Sequence, residues 1–282
     1  MGKPHKKQSG NLQQGFTLVE LLVAMAMAVI VMAALYSTFK SQQDSYVSQE
    51  VVAEMQQNLR AALYMMARDI RIAGYDPSEL ADAGIVSAGS NSINFTFDIN
   101  DGIDNDADGT VDEIDEPIIS DGDVTDANEN ITYSLDTSDA NNPRLVRDAG
   151  GGVQPVADYI DEVGFAYAFD NDGDDQVDVS AGGHIIWAID SDGDGILDIN
   201  LDTNDDGVID TNDSTAGVAL ASQVDISRIR AVKIWLLART GKVDRGFTNS
   251  SVYVVSNQQL QYNDNFRRRL FTTAISCRNM TL

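Results

Sequence analysis

Gly15-Phe16-Thr17-Leu18-Val19-Glu20-Leu21-Leu22-Val23-Ala24-Met25-Ala26-Met27-Ala28-Val29-Ile30-Val31-Met32-Ala33-Ala34-Leu35 decides how the rest of this chain is read. The apolar run extends to Phe39 and stops at Lys40, and a short basic leader (Lys3, Lys6, Lys7) ends at the glycine. An ordinary secretory signal places its small-residue cleavage site after a purely apolar core. Here a single carboxylate, Glu20, sits near the start of the core, and the cut implied by this order falls before it, between Gly15 and Phe16. The core then stays with the mature chain. A conventional cut near Ala33-Ala34, or a plain membrane anchor, is the alternative. Residues 16–39 would span about 36 Å as a helix, enough to cross a bilayer. The leader lysines hold the short N-terminal end in the cytoplasm, so everything beyond Lys40 is expected in the periplasm or outside the cell.

The segment from Gly15 to Leu35 resembles the class III signal of type IV prepilins and pseudopilins. That resemblance implies cleavage by prepilin peptidase between Gly15 and Phe16, with N-methylation of Phe16. An unpaired carboxylate in hydrocarbon costs about 2.5–3.5 kcal/mol, so Glu20 needs a partner. The resemblance implies one, the new N-terminal amine of a neighbouring subunit, which would guide assembly; the other reading places Glu20 high enough to reach the headgroups.

Charge is distributed unevenly. The chain carries 44 acidic and 19 basic residues, a net charge of −25. The stretch 98–126 holds 12 acidic residues and 170–213 holds 14, neither with a lysine or arginine, so the remainder is almost neutral. Such strong acidity argues against nucleic acid as a general partner. Self-repelling Asp/Gly/Asn stretches need cations to become ordered. A lone cysteine, Cys277, excludes an intramolecular disulfide and is expected to be buried in a strand, with an intersubunit bridge as the alternative.

Beyond the membrane segment, Val47, Val51, Met55, Leu59, Ala62, Met66, Ile70 and Ala73 recur at the spacing of one helical face, with Arg60, Arg68, Asp69 and Arg71 off that stripe. Gly74 and Pro77 supply a stop. The period then changes to two. Ile93/Phe95/Phe97, Ile131/Tyr133/Leu135, Phe165/Tyr167/Phe169 and Val232/Ile234/Leu236 read as half-buried antiparallel strands, with weaker candidates at 145–146, 185–189, 252–255 and 269–277. The expected fold is α+β: a long N-terminal helix, half membrane-embedded and half amphipathic, packed on an antiparallel β-sheet domain with acidic insertions. The expected organisation is a leader at 1–15, a membrane or filament-core helix at 16–39, its amphipathic continuation at 40–76 and a β-rich head at 77–282, with the acidic inserts at 98–126 and 170–213. The runs 49–63 and 68–77, the stretch 225–240 and Cys277-Arg278-Asn279 resemble PilW-type minor pilins and, more remotely, the J-type pseudopilin of type II secretion.

Four segments repeat a D-x-[DN]-x-D-G-like ladder, in which alternate carboxylates and a glycine let the chain curl around a hard cation. The first runs Asp104, Asp106, Asp108, Thr110 (backbone carbonyl), Asp112 and Asp115. The second runs Asp170, Asp172, Asp174, Gln176 (carbonyl) and Asp178, and the third Asp190, Asp192, Asp194, Ile196 (carbonyl) and Asp198. The fourth runs Asp202, Asn204, Asp206, Val208 (carbonyl), Asp210 and Asp213. An inward-packing apolar residue is expected at the eighth position, here Val111, Val177, Leu197 and Ile209. Asp175 stands where the second ladder should have glycine, which ranks that loop weakest. The all-oxygen donor set favours calcium, one to four ions, over magnesium, and zinc lacks its usual nitrogen and sulfur ligands. A solvated acidic spacer is the bland alternative.

No nucleophile elbow, phosphate loop or zinc pattern is present, and His184 reads as a strand-edge residue, so no enzymatic activity is expected. The arginine run 267–269 reads as solvated charge flanking a strand, with contact to DNA or to a neighbour's acidic loop as alternatives. The resemblance implies a minor pilin that takes part in priming and assembly of a type IV pilus, with other minor and major pilins, prepilin peptidase and the inner-membrane assembly machinery as partners. It would reside in the inner membrane before assembly and in the pilus after it. A type II secretion pseudopilin and a calcium-dependent adhesion module are the competing readings.

Overall fold

A computed structural model of the chain describes residues 15–99, 103 and 120–280. The chain divides into two compact units, Met1–Glu50 and Val51–Leu282. The first acidic ladder, from Asp104 to Asp115, lies outside the described residues.

In the first unit, helix α1 (Leu18–Ile72) begins. Thr17 and Glu20 form a capping box at its start: Glu20 Oε2 accepts from the Thr17 amide at 2.9 Å and from Thr17 Oγ1 at 2.7 Å, while the Glu20 amide donates to Thr17 Oγ1 at 3.3 Å. The sequence reading passed over this T-x-x-E signal. The carboxylate thus has a local partner within its own chain. Apolar side chains from Leu18 to Phe39 are all exposed, on every side of the helix. A helix that is apolar all round is stable only in lipid or among other helices.

In the second unit, the same helix presents Met55, Leu59, Ala62, Leu63, Met66 and Ile70 to a core, and Ala73 follows them. Val47, expected on this stripe, is 42% exposed, so packing begins after it. The helix stops where predicted. Gly74 takes φ +77°, a left-handed conformation that strains other residues, and a Cβ there would lie 2.7 Å from Met280 Sδ. Asn279 Nδ2 donates to the Arg71 and Ile72 carbonyls at 3.4 and 3.3 Å, covering the helix end.

The strands are β1 (Ile85–Ala88), β2 (Ile93–Thr96), β3 (Asn130–Asp136), β4 (Arg144–Asp148), β5 (Gln154–Asp158), β6 (Ile160–Phe169), β7 (Ala188–Ile189), β8 (Ile196–Asn200), β9 (Val218–Asp225), β10 (Ile229–Arg239), β11 (Val252–Val255), β12 (Gln258–Gln261) and β13 (Arg268–Ser276). They form a five-stranded sheet in the order β1-β2-β3-β4-β5, a six-stranded sheet in the order β13-β10-β6-β7-β8-β9, and the hairpin β11-β12. Every pairing is antiparallel. The alternating runs around 93, 131, 165 and 232 all become strands. The weak candidate at 185–189 shrinks to the two-residue β7, with Ile185 held only by an isolated bridge to Val179.

Two strands differ from the half-buried expectation. Along β6 and β10, Phe165, Tyr167, Val232, Ile234 and Leu236 enter the core beneath the helix. The alternate residues Ala166, Ala168, Trp235 and Leu237 enter a second cluster with Trp187, Ile189, Leu201 and Val255. Both faces are covered because β11 packs across the outer one; a Cβ on Gly164 would lie 2.7 Å from Val255 Cγ1.

Two charges expected in solvent, Asp69 and Arg268, are internal. Asp69 is 2% exposed, and its Oδ2 accepts from Tyr133 Oη and Arg147 Nε, both at 2.8 Å. Of the arginine run, Arg268 has a side chain only 1% exposed and pairs with Asp161 at 2.6 Å and Asp264 at 2.6 Å, stacking 3.7 Å from the Tyr262 ring centroid. Arg267 pairs with Asp244 at 2.8 Å. Arg269 stands exposed and the Arg267 side chain is 41% exposed, so within the run Arg268 is the internal brace. Cys277 is buried one residue past β13, its amide bonded to the Arg230 carbonyl at 2.9 Å, and burial pushes its thiol pKa up to about 12.

Removing one partner of a buried ion pair strands the other charge. Asp161→Ala should cost about 3–5 kcal/mol in urea unfolding. Arg269→Ala should cost under about 0.5 kcal/mol. Equal, small effects of the two would show that the brace is not structural.

Candidate metal centre

The second, third and fourth ladders leave the ends of consecutive strands. Asp170 follows β6, Asp190 follows β7, and Asp202 comes just after β8. Each is preceded by a buried apolar residue: Phe169, Ile189 or Leu201. The eighth positions also point inward as expected. Leu197 is buried, and Val177 and Ile209 pack against the second core cluster. Each loop is therefore pinned by apolar anchors on both sides of its acidic run.

The loops share one backbone conformation. Their fourth residues, Gly173, Gly193 and Asp205, have φ of +78°, +81° and +59°. Their sixth residues, Asp175, Gly195 and Gly207, have φ of +65°, +84° and +84°. Asp175 thus adopts the left-handed turn expected of glycine, a region that aspartate tolerates better than most residues. Its presence does not give the second loop a different course.

The hydrogen bonds repeat as well. The first carboxylate of each loop is buried and accepts from amides across the turn: Asp170 from Gly173 at 2.7 Å and Asp175 at 3.1 Å, Asp190 from Gly193 at 2.7 Å and Gly195 at 2.9 Å, Asp202 from Asp206 at 3.3 Å and Gly207 at 2.8 Å. The third side chain accepts from the fifth amide (Asp172 at 3.2 Å, Asp192 at 3.3 Å, Asn204 at 3.1 Å). The fifth accepts from the seventh (Asp174 at 2.9 Å, Asp194 at 3.0 Å, Asp206 at 2.9 Å). A later carboxylate closes each loop onto its second amide: Asp178 onto Asn171 at 3.4 Å, Asp198 onto Ser191 at 2.9 Å, Asp213 onto Thr203 at 2.7 Å.

This geometry gathers carboxylates. Ligand oxygens of Asp170, Asp172 and Asp178 lie within 4.8 Å of one another, as do those of Asp190, Asp192 and Asp194. The crowding has an electrostatic cost. Desolvation, then repulsion from Asp172, Asp170 and Asp174, raises the Asp178 pKa above the usual carboxylate range. Desolvation and then Asp192 do the same to Asp194. Asp170 goes the other way: burial works against its charge, but the Gly173, Asp175 and Asp174 amides outweigh it. Acidic oxygens held this way form clusters that could hold a metal ion, and their chemistry suits a hard cation.

At the fourth loop the structure adds residues outside the ladder. The grouped ligand atoms are those of His184, Asp202 and Asp205. Asp205 binds Ser180 Oγ and the Gly182 amide (the latter at 2.8 Å), and its carbonyl lies 2.9 Å from His184 Nδ1. It ties this loop to the turn at 180–184. Asp210 and Asp213 are drawn together, the Asp210 amide donating to Asp213 Oδ2 at 2.9 Å. Nearby, the Lys233 ammonium lies 5.1 and 5.2 Å from the Trp187 and Trp235 ring centroids; burial lowers its pKa, and the charge of Asp202 opposes that. A further acidic group, Asp121, Asp123 and Asp126, was not singled out in the sequence because its spacing breaks the ladder. It stands beside buried Asp98, whose Oδ2 accepts from Ser120 Oγ at 2.5 Å and from the Gly122 amide at 3.1 Å.

The family described as the prokaryotic N-terminal methylation motif matches residues 10–36, the leader end and first half of the exposed helix. The chain thus carries at its N-terminal end the motif of that description. The family described as type IV pilus-assembly protein W matches residues 185–279, from the turn before β7 to the C-terminal segment, so the third and fourth loops fall within it. Together these two matches support a type IV minor pilin of the PilW type. A solved type IV-like pilin from Thermus thermophilus is similar, with a TM-score of 0.40, 13% identity, and coverage of 80% of this chain and 98% of that one. No curated protein matches. The pilin-family matches point to a structural, non-enzymatic protein.

The first carboxylate of each loop should matter even without metal. Asp190→Ala leaves the Gly193 and Gly195 amides without their acceptor and should cost about 1–3 kcal/mol. Asp192→Ala, at an exposed position, should cost under about 1 kcal/mol. Hydrogen exchange across 190–198 should quicken in the first variant and barely change in the second.

Proposed function

We propose that this protein, once cleaved between Gly15 and Phe16, waits in the inner membrane on its N-terminal helix and takes part in priming and assembly of a type IV pilus. Its head, on the outer side of the membrane, carries calcium ions that fix the acidic loops. The methylation motif on a wholly exposed apolar helix supports the pilin half of this reading. Such a helix fits equally the bilayer and the helical core of a filament. Glu20 then has two successive partners, first Thr17 of its own chain and later the amine of a neighbouring Phe16.

The observation that carries the calcium half is the threefold recurrence of one loop conformation at successive strand ends. The donors would be the side chains of Asp170, Asp172, Asp174 and Asp178 in one loop, and of Asp190, Asp192, Asp194 and Asp198 in the next. In the last they would be Asp202, Asn204, Asp206, Asp210 and Asp213, with the carbonyls of Gln176, Ile196 and Val208 completing the three sets. A bound divalent cation supplies the positive charge that relieves the repulsion at Asp178 and Asp194. The ladder at 104–115 is proposed on its spacing alone.

Two measurements test the reading. Mass analysis of the mature protein should find an N-terminus at Phe16 carrying one methyl group, and Gly15→Ala, which changes the residue before the cut, should slow cleavage; an N-terminus after Ala33 would overturn the prepilin route. Thermal unfolding of the chain in detergent should shift upward by several degrees in millimolar calcium but not magnesium. A ligand that binds only the native state stabilises it by about 2.7 kcal/mol at a hundredfold excess over its dissociation constant. The combined substitution Asp190→Asn and Asp202→Asn should abolish most of that shift. No shift with the parent chain would reduce the loops to solvated spacers and leave the pilin assignment standing.

A further inference from the structure

A buried carboxylate that belongs to none of the ladders sits at the root of the first acidic insert. Asp98 lies two residues past β2 and is 0% exposed. Its amide donates to the Tyr75 carbonyl at 2.8 Å, which fixes it against the exit of α1. Its Oδ2 accepts from Ser120 Oγ at 2.5 Å and from the Gly122 amide at 3.1 Å, and Ser78 Oγ lies 3.3 Å away. Its Oδ1 is also buried and has no hydrogen-bond partner. Such an oxygen is rare in a folded chain, because losing water without gaining a donor is unfavourable. No lysine or arginine occurs between 98 and 126 to serve it.

The turn that holds Asp98 brings further carboxylates. Ligand oxygens of Asp121, Asp123 and Asp126 lie within 4.8 Å of one another. The turn follows the course of the ladder loops with one part exchanged. Asp121 accepts from the Asp123 amide at 3.1 Å and Asp123 from the Thr125 amide at 2.8 Å, as the third and fifth ladder residues do. Gly122 stands at the fourth position with φ +94°, left-handed like Gly173 and Gly193. In those two loops the fourth amide goes to the first carboxylate of the same loop. Here the first position in sequence is Ile119, and the amide goes instead to Asp98, which comes from the other end of the insert.

We infer that Asp98, Asp121, Asp123 and Asp126 form a cation site divided between the two ends of the insert, and that it takes calcium. The lone Oδ1 of Asp98 carries the inference. Bonded to the same carbon as Oδ2, it is held against the turn that gathers the other three carboxylates. Four carboxylates with no nitrogen or sulfur donor suit calcium better than magnesium or zinc. An ion bound there ties the end of β2 to the far end of the insert and, through Tyr75 and Ser78, to the exit of α1. The site lies outside both family-matched spans and does not depend on calcium binding in the 170–213 loops.

The test is amide hydrogen exchange of the full-length chain in detergent micelles, in millimolar calcium and in excess chelator. Calcium should slow exchange at least tenfold across 75–81 and 120–127. Asp98→Asn keeps an acceptor for Ser120 and Gly122 but sets an amide where the lone oxygen stood. It should abolish the slowing while exchanging no faster than the parent in chelator. Asp121→Asn with Asp123→Asn changes two exposed residues to one that makes the same turn bond at Asn204. That pair should raise the calcium concentration for half the effect at least tenfold, and it decides the matter alone if Asp98→Asn does not fold. A carboxylate that serves only as a hydrogen-bond acceptor would give no calcium dependence. Overturning results are unchanged exchange across 120–127 in the parent, or a calcium response that both variants leave intact. Slowing at 120–127 with none across 170–213 would support this site and sink the ladder reading; the reverse would sink this site and leave the ladders standing.

Discussion

The central pair β6 and β10 is buried on both faces, and the other parts of the head take their positions from it. One face receives the helix through Phe165, Tyr167, Ile234 and Leu236, the other receives Trp187, Ile189, Leu201 and Val255. The two strands fill this two-sided core differently: Ala166 and Ala168 interleave with Phe165 and Tyr167 along β6, while β10 sets Trp235 and Leu237 on one face and Ile234 and Leu236 on the other. It also determines where the acidic loops begin. Phe169, Ile189 and Leu201 are anchors of this core, and the residue after each is the first carboxylate of a ladder. The loops are extensions of the packing, with polar tips held at fixed positions by apolar roots.

Much of this was legible because it follows from period and spacing. The helix stop at Gly74, the alternating runs that became β2, β3, β6 and β10, and the inward eighth positions of the loops each rest on local rules. The short strands β1, β5, β8, β9 and β12 were not legible. Gln154–Asp158 and Val218–Asp225 carry no clear alternation, because little of either strand is buried. The burial of both faces of β10 was equally hidden, since alternation of Val232, Ile234 and Leu236 with Lys233 and Trp235 looks the same whether the second face meets water or another hairpin. At the loops, the spacing indicated the ladder, but Asp205 and His184 enter through a contact between segments about twenty residues apart, and no local rule could have paired them.

Asp69 shows how a sequence reading of charge can mislead. It sits next to the apolar stripe, and helical spacing alone assigns it to solvent. The sheet opposite provides Tyr133 and Arg147, which turn it into a buried bridge between the helix and β3–β4. Such a bridge adds little net stability over an apolar contact, because both charges lose water. It specifies register: the helix cannot slide by a turn without stranding the carboxylate. The Arg268–Asp161 pair plays the same part between β13 and β6.

These pairs also determine what remains at the surface. Arg144, Arg147, Arg239, Arg267 and Arg268 are each matched to a carboxylate outside the 170–213 stretch. Among the described residues the one ion pair reaching into that stretch is His184–Asp205, both of whose partners belong to it, and its charge requires a protonated imidazole. The interior is therefore electrostatically settled without the loops, and what reaches the loops from the chain's own cations is the through-space influence of Arg230 on Asp170 and of Lys233 near Asp202, neither of them an ion pair. Within them, amide donors satisfy the innermost carboxylates, but an amide carries no net charge and cannot cancel the repulsion among Asp170, Asp172, Asp174 and Asp178. A hard cation bound at the centre of each loop, as proposed above, would supply the charge that the crowding lacks.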